Sequence, residues 1–366
     1  MRTNIPSTPR GLRVRAIAGT YVVLLAFDCP PAYRQGLLGF SIRRHDHTNG
    51  ETDWLRGGKH FELPASDVGS TPSTRTEPIQ QFHWGDYTVK AGRTYTYRIV
   101  AQEGRPGALL PREQIEVKVT CEDPVNVGAN GHQVHFNRSA AASQAYVSRF
   151  GDADPDVIGS AAFVWLSRGL EEALIAYVDA AQPGEGLHLC VYEFEKNSFL
   201  TALQRARARG VTVEILYDAI IHRTKNKKTG VVTTDGPSLK SVPAMQQFGL
   251  AAQAVAHGRV GAGINISHNK FMVLTGTDGR PKSVWTGSTN WTDNAIYKQT
   301  NVGHAIVNPA LAEVYLNWHQ AVWSQPNLGA AASRTQAQRL TAMPPARGPG
   351  TFLVLSPRRT TGLAVI

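Results

Sequence analysis

Two textures of hydrophobic patterning divide the chain. Over residues 10–120 short alternating runs recur, such as Leu12-Arg13-Val14-Arg15-Ala16, Tyr21-Val22-Val23-Leu24-Leu25-Ala26-Phe27 and Thr94-Tyr95-Thr96-Tyr97-Arg98-Ile99-Val100. Clusters of Gly, Pro, Asn and Asp separate them. Strand-length alternation broken by turn residues predicts a small antiparallel β-sandwich. Further on the period changes. Residues 187–194 read as a strand, and 198–209 place Phe199, Leu200, Leu203 and Ala206 at helical spacing, with Asn197 as N-cap and Gly210 past the end. Residues 211–217 are the next strand, so the unit predicts a parallel pair joined by a right-handed crossover. The runs 271–274 and 283–286 add strands, and Asn308-Pro309 opens a helix with Leu311, Val314, Tyr315, Trp318 and Val322 on one stripe.

At 366 residues and 42% hydrophobic content the chain can bury two ordinary cores. No run reaches membrane-spanning length, and the apolar stretch from Tyr21 to Phe27 is too short for a secretory signal. The expectation is a cytoplasmic protein without a transmembrane segment. Cys29, Cys121 and Cys190 are dispersed and odd in number, which implies neither a disulfide framework nor a zinc site. His45-Asp46-His47 lacks an evident third or fourth ligand and reads as a surface loop, so no metal and no cofactor is expected.

The formal charge of +10 invites a polyanionic partner. No acidic residue follows Glu313, while Arg334, Arg339, Arg347, Arg358 and Arg359 place half of the surplus near the end. A basic tail of this kind binds nucleic acid and anionic lipid alike. Arg223, Lys225, Lys227 and Lys228 form a second cluster after the strand that ends at Tyr217-Asp218, where folds of this class tend to place ligands.

Chemistry concentrates in His268-Asn269-Lys270, followed seventeen residues after the lysine by Gly287-Ser288-Thr289-Asn290. If His268 and Lys270 open the 271–274 strand, alternation points both side chains to one side. Lys270 can supply positive charge to phosphate oxygens, and His268 can act as nucleophile or proton donor. Gly287 permits a tight turn, after which Ser288 and Asn290 offer a hydroxyl and an amide. These residues resemble the phospholipase D superfamily, whose signature is His-x-Lys and then Gly-Ser-x-Asn. The N-terminal runs Gly39-Phe40-Ser41-Ile42-Arg43-Arg44 and Tyr95-Thr96-Tyr97-Arg98-Ile99-Val100-Ala101 resemble a fibronectin type III domain with a packing or partner-recognition role.

The resemblance implies a multidomain protein. A fibronectin type III-like β-sandwich would occupy 1–120, a linker 121–140, an α/β phospholipase D-like domain with a mixed sheet flanked by helices 141–325, and a basic Pro-, Ala- and Gly-containing tail 326–366. It also implies metal-independent hydrolysis of phosphodiester bonds, in nucleic acid or phospholipid, through a phosphohistidine intermediate. His268, Lys270, Ser288 and Asn290 would be the site residues. Two positions depart from the family pattern. Thr275 stands where an aspartate is common, with Asp278 the nearest acid, and Gly303 stands where many members carry a glutamate. The family pairs two such motifs and this sequence supplies one, so the second half-site comes from a homodimer or from a second repeat that 351–357 would open. A phosphate- or nucleic-acid-binding protein without turnover, or the truncated half of a two-motif enzyme, is the alternative.

Overall fold

The computed structural model describes residues 2–4, 7–57, 59–61, 72–123, 131–138, 143–341 and 351–358. The chain splits into two compact units, Met1–Gly128 and Ala129–Ile366. Part of the expected linker (124–130 and 139–140), residues 141–142 of the expected second domain and, of the expected tail, residues 342–350 and 359–366, including Arg347 and Arg359, lie outside the described residues.

In the first unit the strands are β1 (Arg2–Asn4), β2 (Arg13–Ala18), β3 (Val23–Asp28), β4 (Gly39–Asp46), β5 (Thr52–Trp54), β6 (His83–Asp86), β7 (Thr94–Arg105) and β8 (Ala108–Thr120). They form two four-stranded antiparallel sheets, β1-β2-β3-β6 and β5-β4-β7-β8. Alternate side chains of both sheets, among them Leu25 and Phe27 from β3 and Ile42, Tyr97, Ile99 and Val117 from the other sheet, join one hydrophobic cluster. The alternation also disposes of the His45-Asp46-His47 triplet. Asp46 is buried on a salt bridge to Arg93, whereas the half-buried His45 and the exposed His47 bond Thr52 and Thr96.

The second unit runs β9 (His132–Phe136), α1 (Gln144–Phe150), α2 (Pro155–Ile158), α3 (Ser160–Ser167), α4 (Leu170–Asp179), β10 (Gly186–Val191), α5 (Asn197–Ala208) and β11 (Thr212–Asp218). It continues through β12 (His222–Lys225), β13 (Val232–Asp235), α6 (Ser238–Gln247), β14 (Ala256–Arg259), β15 (Phe271–Thr275), β16 (Pro281–Gly287), α7 (Asp293–Tyr297), β17 (Val302–Ile306), α8 (Pro309–Ser324) and α9 (Ala330–Leu340). A seven-stranded mixed sheet has the order β14-β11-β10-β15-β16-β17-β9. The β10-α5-β11 unit makes the parallel pair that the periodicity predicts, and β14 extends it in parallel. From β10 through β15, β16, β17 and β9 every pairing is antiparallel.

Both faces of this sheet are covered, which is why its central strands read as unbroken apolar runs. Leu187, Leu189, Val213, Ile215, Met272 and Leu274 pack on one side with Phe199, Leu200, Leu203 and Ala206 of α5. Cys190, Leu216, Phe271 and Val273 point the other way, to Tyr315, Trp318 and Val322 of α8. Asn308 caps α8, its side chain accepting from the Leu311 amide, and Gly210 leaves α5 in the left-handed conformation a glycine reaches at least cost. The segment read as a tail is partly built into this unit: residues 330–340 are α9, and Leu355 packs in the α8 cluster while its amide donates to the Thr341 hydroxyl. Residues 351–357 therefore open no strand.

Met272 is wholly buried in the middle of this sheet. Met272→Ala is expected to destabilise the unit by about 3 kcal/mol, within the usual range for emptying such a position, measured as the shift in its unfolding transition in denaturant.

Candidate functional site

The sheet topology brings five strand ends to one edge. Because β10, β11 and β14 run parallel, their carboxyl ends lie together, and antiparallel β15 presents its amino end beside them. The next antiparallel strand, β16, returns its carboxyl end to the same edge. Tyr192 and Glu193 after β10, Asp218 at the end of β11, Arg259 at the end of β14, His268 to Lys270 before β15 and Ser288 to Asn290 after β16 all belong to this edge.

The histidine and lysine stand outside the strand expected to hold them, since the last β10–β15 pair is Cys190 with Phe271 and no backbone partner continues beyond it. They nevertheless share a neighbour. The His268 ring meets Tyr192 edge-on at 4.7 Å between centroids, and the Lys270 ammonium sits 5.1 Å over the same ring while donating to the His268 carbonyl at 3.3 Å. The loop before them is anchored by Asp218, a fully buried carboxylate that accepts from the Ser267 and Ile220 amides. Buried Arg259 donates to Asn269 at 3.2 Å.

Asn290 donates from its amide to Glu193, and its amide oxygen is buried without a hydrogen-bond partner. Ser288 donates to Asn301 Oδ1 at 2.9 Å and accepts from the Val302 amide at 3.1 Å, so the hydroxyl fixes the turn rather than projecting freely. The turn requires its glycine: Gly287 has φ +140°, and a Cβ there would collide with the Val302 carbonyl. Thus His268, Lys270 and Tyr192 form one contact group, Asn290 and Glu193 another, and the two are coupled electrostatically through Glu193.

Desolvation lowers the pKa of His268, reinforced by the Lys270 charge and opposed by Glu193 and Asp218. Desolvation brings the Lys270 ammonium down to about 8, with Glu193 opposing. The imidazole is therefore largely neutral at pH 7 while the lysine keeps most of its charge. A cavity of about 490 Å³ opens beside His268 and is lined also by Arg259, Asn265, Ser267 and Arg334.

Glu193, Asp218, Tyr192 and Arg259 were not singled out from the sequence. The usable signal was the position of two acids at the ends of apolar strands, where parallel sheets gather ligands. Gly303 is explained by packing: a Cβ there would strike Trp285 and Leu170, leaving no room for an acidic side chain. Thr275, in the place of the common aspartate, hydrogen-bonds His188 at 3.2 Å.

Residues 174–323 match the family model described as cardiolipin synthase, PLD-like domain. That part of the second unit is similar to a PLD-like domain. Among solved structures the chain is similar to Nuc, a phospholipase D family member from Salmonella typhimurium, at 22% identity over 53% of this chain and 94% of that one, with a TM-score of 0.32. It is also similar to NucT from Helicobacter pylori, at 16% identity over 43% and 89% of the two chains and a TM-score of 0.33. For phosphatidylserine synthase from Haemophilus influenzae Rd KW20 the identity is 11% over 47% and 42%, with a TM-score of 0.32. No curated protein matches.

Gly303→Glu is expected to destabilise the second unit by roughly 2 kcal/mol or more through overpacking against Trp285. Thermal unfolding of the variant checks this; an unchanged midpoint would show that the sheet has room for the side chain.

Proposed function

We propose that the PLD-like domain is a phosphodiesterase that cleaves nucleic acid without a metal in its reaction centre. The observation that carries the reading is the gathering of His268, Lys270, Asn290 and Glu193 at one sheet edge beside an open cavity. His268 attacks phosphorus, forming a P–N bond as the P–O bond to the leaving group breaks. The departing oxygen takes a proton from the equivalent histidine of a second half-site, which a homodimer would supply. Water then attacks the phosphohistidine and releases His268. Lys270 and the second amide hydrogen of Asn290 hold the non-bridging oxygens as charge redistributes, Glu193 positions Asn290, and Ser288 keeps the turn in place.

Substrate choice rests on β12 and β13. These strands pair as a fully exposed hairpin that carries Arg223, Lys225, Lys227 and Lys228, and His222 ties it to the site loop through the Asn265 carbonyl at 3.0 Å. A protruding basic ribbon beside a single-phosphate site suits a polymer with further phosphates on either side. Among the described residues no helix is long and apolar enough to cross a membrane. The first unit is read as an accessory fibronectin type III-like sandwich, supported by its two antiparallel sheets and shared cluster. Residence in the cytoplasm belongs to the same proposal, supported by three buried, unpaired cysteines.

The account gives a bell-shaped pH dependence of kcat/KM for hydrolysis of single-stranded DNA in the presence of chelator. Activity falls in acid as His268 is protonated, below the ordinary imidazole value of 6.5, and falls in alkali as the proton-donating histidine of the second half-site and then Lys270, near pH 8, lose their protons. His268→Ala is expected to remove turnover by roughly 10⁴-fold with the fold retained, and Lys270→Ala to cost on the order of 10²–10³-fold. Full activity in His268→Ala rejects the assignment.

Replacing Lys225, Lys227 and Lys228 together by alanine is expected to raise KM for DNA at constant kcat and to lower the slope of log affinity against log salt by about 2, at roughly 0.7 per phosphate contact. Equal KM and slope in variant and wild type would remove the hairpin from substrate binding.

A further inference from the structure

On the α8 side of the sheet, three ligand-bearing side chains that the proposed reaction does not use converge in the first half of β10 and β11, away from the site. His188 and Glu214 are register partners on the parallel strands β10 and β11, one step before Cys190 and Leu216 of the α8 cluster. Helix α8 lays His319 over them. Glu214 Oε2 lies 2.8 Å from His188 Nδ1 and 3.7 Å from His319 Nδ1, and one nitrogen or oxygen of each residue falls within 4.8 Å of the others.

Two features set this cluster apart from an ordinary buried hydrogen bond. His319 is 0% exposed, yet neither of its ring nitrogens has a hydrogen-bond partner. A buried imidazole orphaned at both nitrogens is rare in a folded protein and calls for a ligand. Moreover, the ion pairs of Glu214 among the described residues are with the two imidazoles alone, so its negative charge has no fixed cation. The other nitrogen of His188 lies 3.2 Å from the Thr275 hydroxyl. With that nitrogen donating to Thr275, Nδ1 turns a lone pair toward a carboxylate, and a cation between them satisfies both. This is the outer hydrogen bond that usually fixes a metal-binding histidine.

We propose that His188, Glu214 and His319 bind a divalent transition metal, zinc by the chemistry of the set, as a tie between α8 and the sheet. Two imidazoles and a carboxylate are a common zinc donor set, with a solvent molecule as fourth ligand. Bonds of about 2.0–2.1 Å in a tetrahedron separate the ligands by about 3.4 Å, between the two distances observed. Side-chain exposures of 14% for His188 and 24% for Glu214 give the ion a route in. His188 stands five residues before Glu193, so at about 3.3 Å per residue the cluster lies roughly 16 Å along the chain from the reaction edge. Its role is therefore structural: the metal holds the helix whose Trp318 and Val322 cover the sheet.

The test uses full-length protein purified without a polyhistidine tag and stripped by chelator. Zinc titration by calorimetry is expected to show one tight site per chain, and cobalt to give the intense visible bands of tetrahedral coordination. The stacked ring of Trp323, 5.5 Å from that of His319, should lose fluorescence when copper binds. Glu214→Gln and His188→Gln, both partly exposed and close in size, should each weaken zinc at least tenfold and abolish the zinc-dependent rise in unfolding temperature. Hydrolysis by these variants in chelator should match stripped wild type, which separates this proposal from the phosphodiesterase reading. Absence of a stoichiometric site in folded wild type overturns it. So does zinc affinity unchanged in both variants, which would place the ion on the other histidine pairs, His45 with His47 or His132 with His304.

Discussion

The antiparallel insertion of β15 beside β10 is the constraint on which the second unit depends. Its register ends with Cys190 opposite Phe271, which leaves Tyr192 and Glu193 on one chain next to His268 and Lys270 on the other. A slip of one residue would exchange the two faces of β15, sending Met272 and Leu274 toward α8 and Phe271 and Val273 toward α5. Burial on both sides makes that slip costly, so packing fixes the position of the histidine and lysine even though neither lies in a strand.

Electrostatics at the edge follow from the same arrangement. Lys270 is lowered by burial but keeps its charge because Glu193 faces it, and His268 is held neutral by desolvation and by the lysine. A neutral imidazole beside an ammonium is the state a nucleophile for a phosphodiester requires. An acidic side chain after the Gly-Ser-x-Asn turn has no space here, because Trp285 and Leu170 close on Gly303. The carboxylate that the structure does supply comes from the opposite side of the sheet edge.

Much of this was legible in the sequence. The 3.6-residue spacing in α5, its closing glycine and the Asn308-Pro309 start of α8 specify those helices locally. The His-x-Lys and Gly-Ser-x-Asn segments marked the edge because their chemistry is carried by neighbouring residues. What escaped was set by tertiary pairing. Glu193 meets Asn290 across 97 residues, a contact that only the strand order creates. His188 and Glu214 alternate with apolar residues inside strands, and His319 lies among the apolar residues of α8, so each was hidden within a pattern that had a sufficient explanation. The basic residues after β11 were visible as charge, but their arrangement as a hairpin tied to the site loop was not.

The central claim is that His268 forms a covalent bond to phosphorus. Its most direct test is to mix the protein with a phosphodiester substrate in chelator, quench in base to preserve phosphoramidate, and map the adduct by peptide mass spectrometry. The account predicts a phosphoryl-linked fragment on the peptide containing His268, formed and lost at rates compatible with turnover. Turnover with no adduct, or an adduct on a different residue, would contradict it.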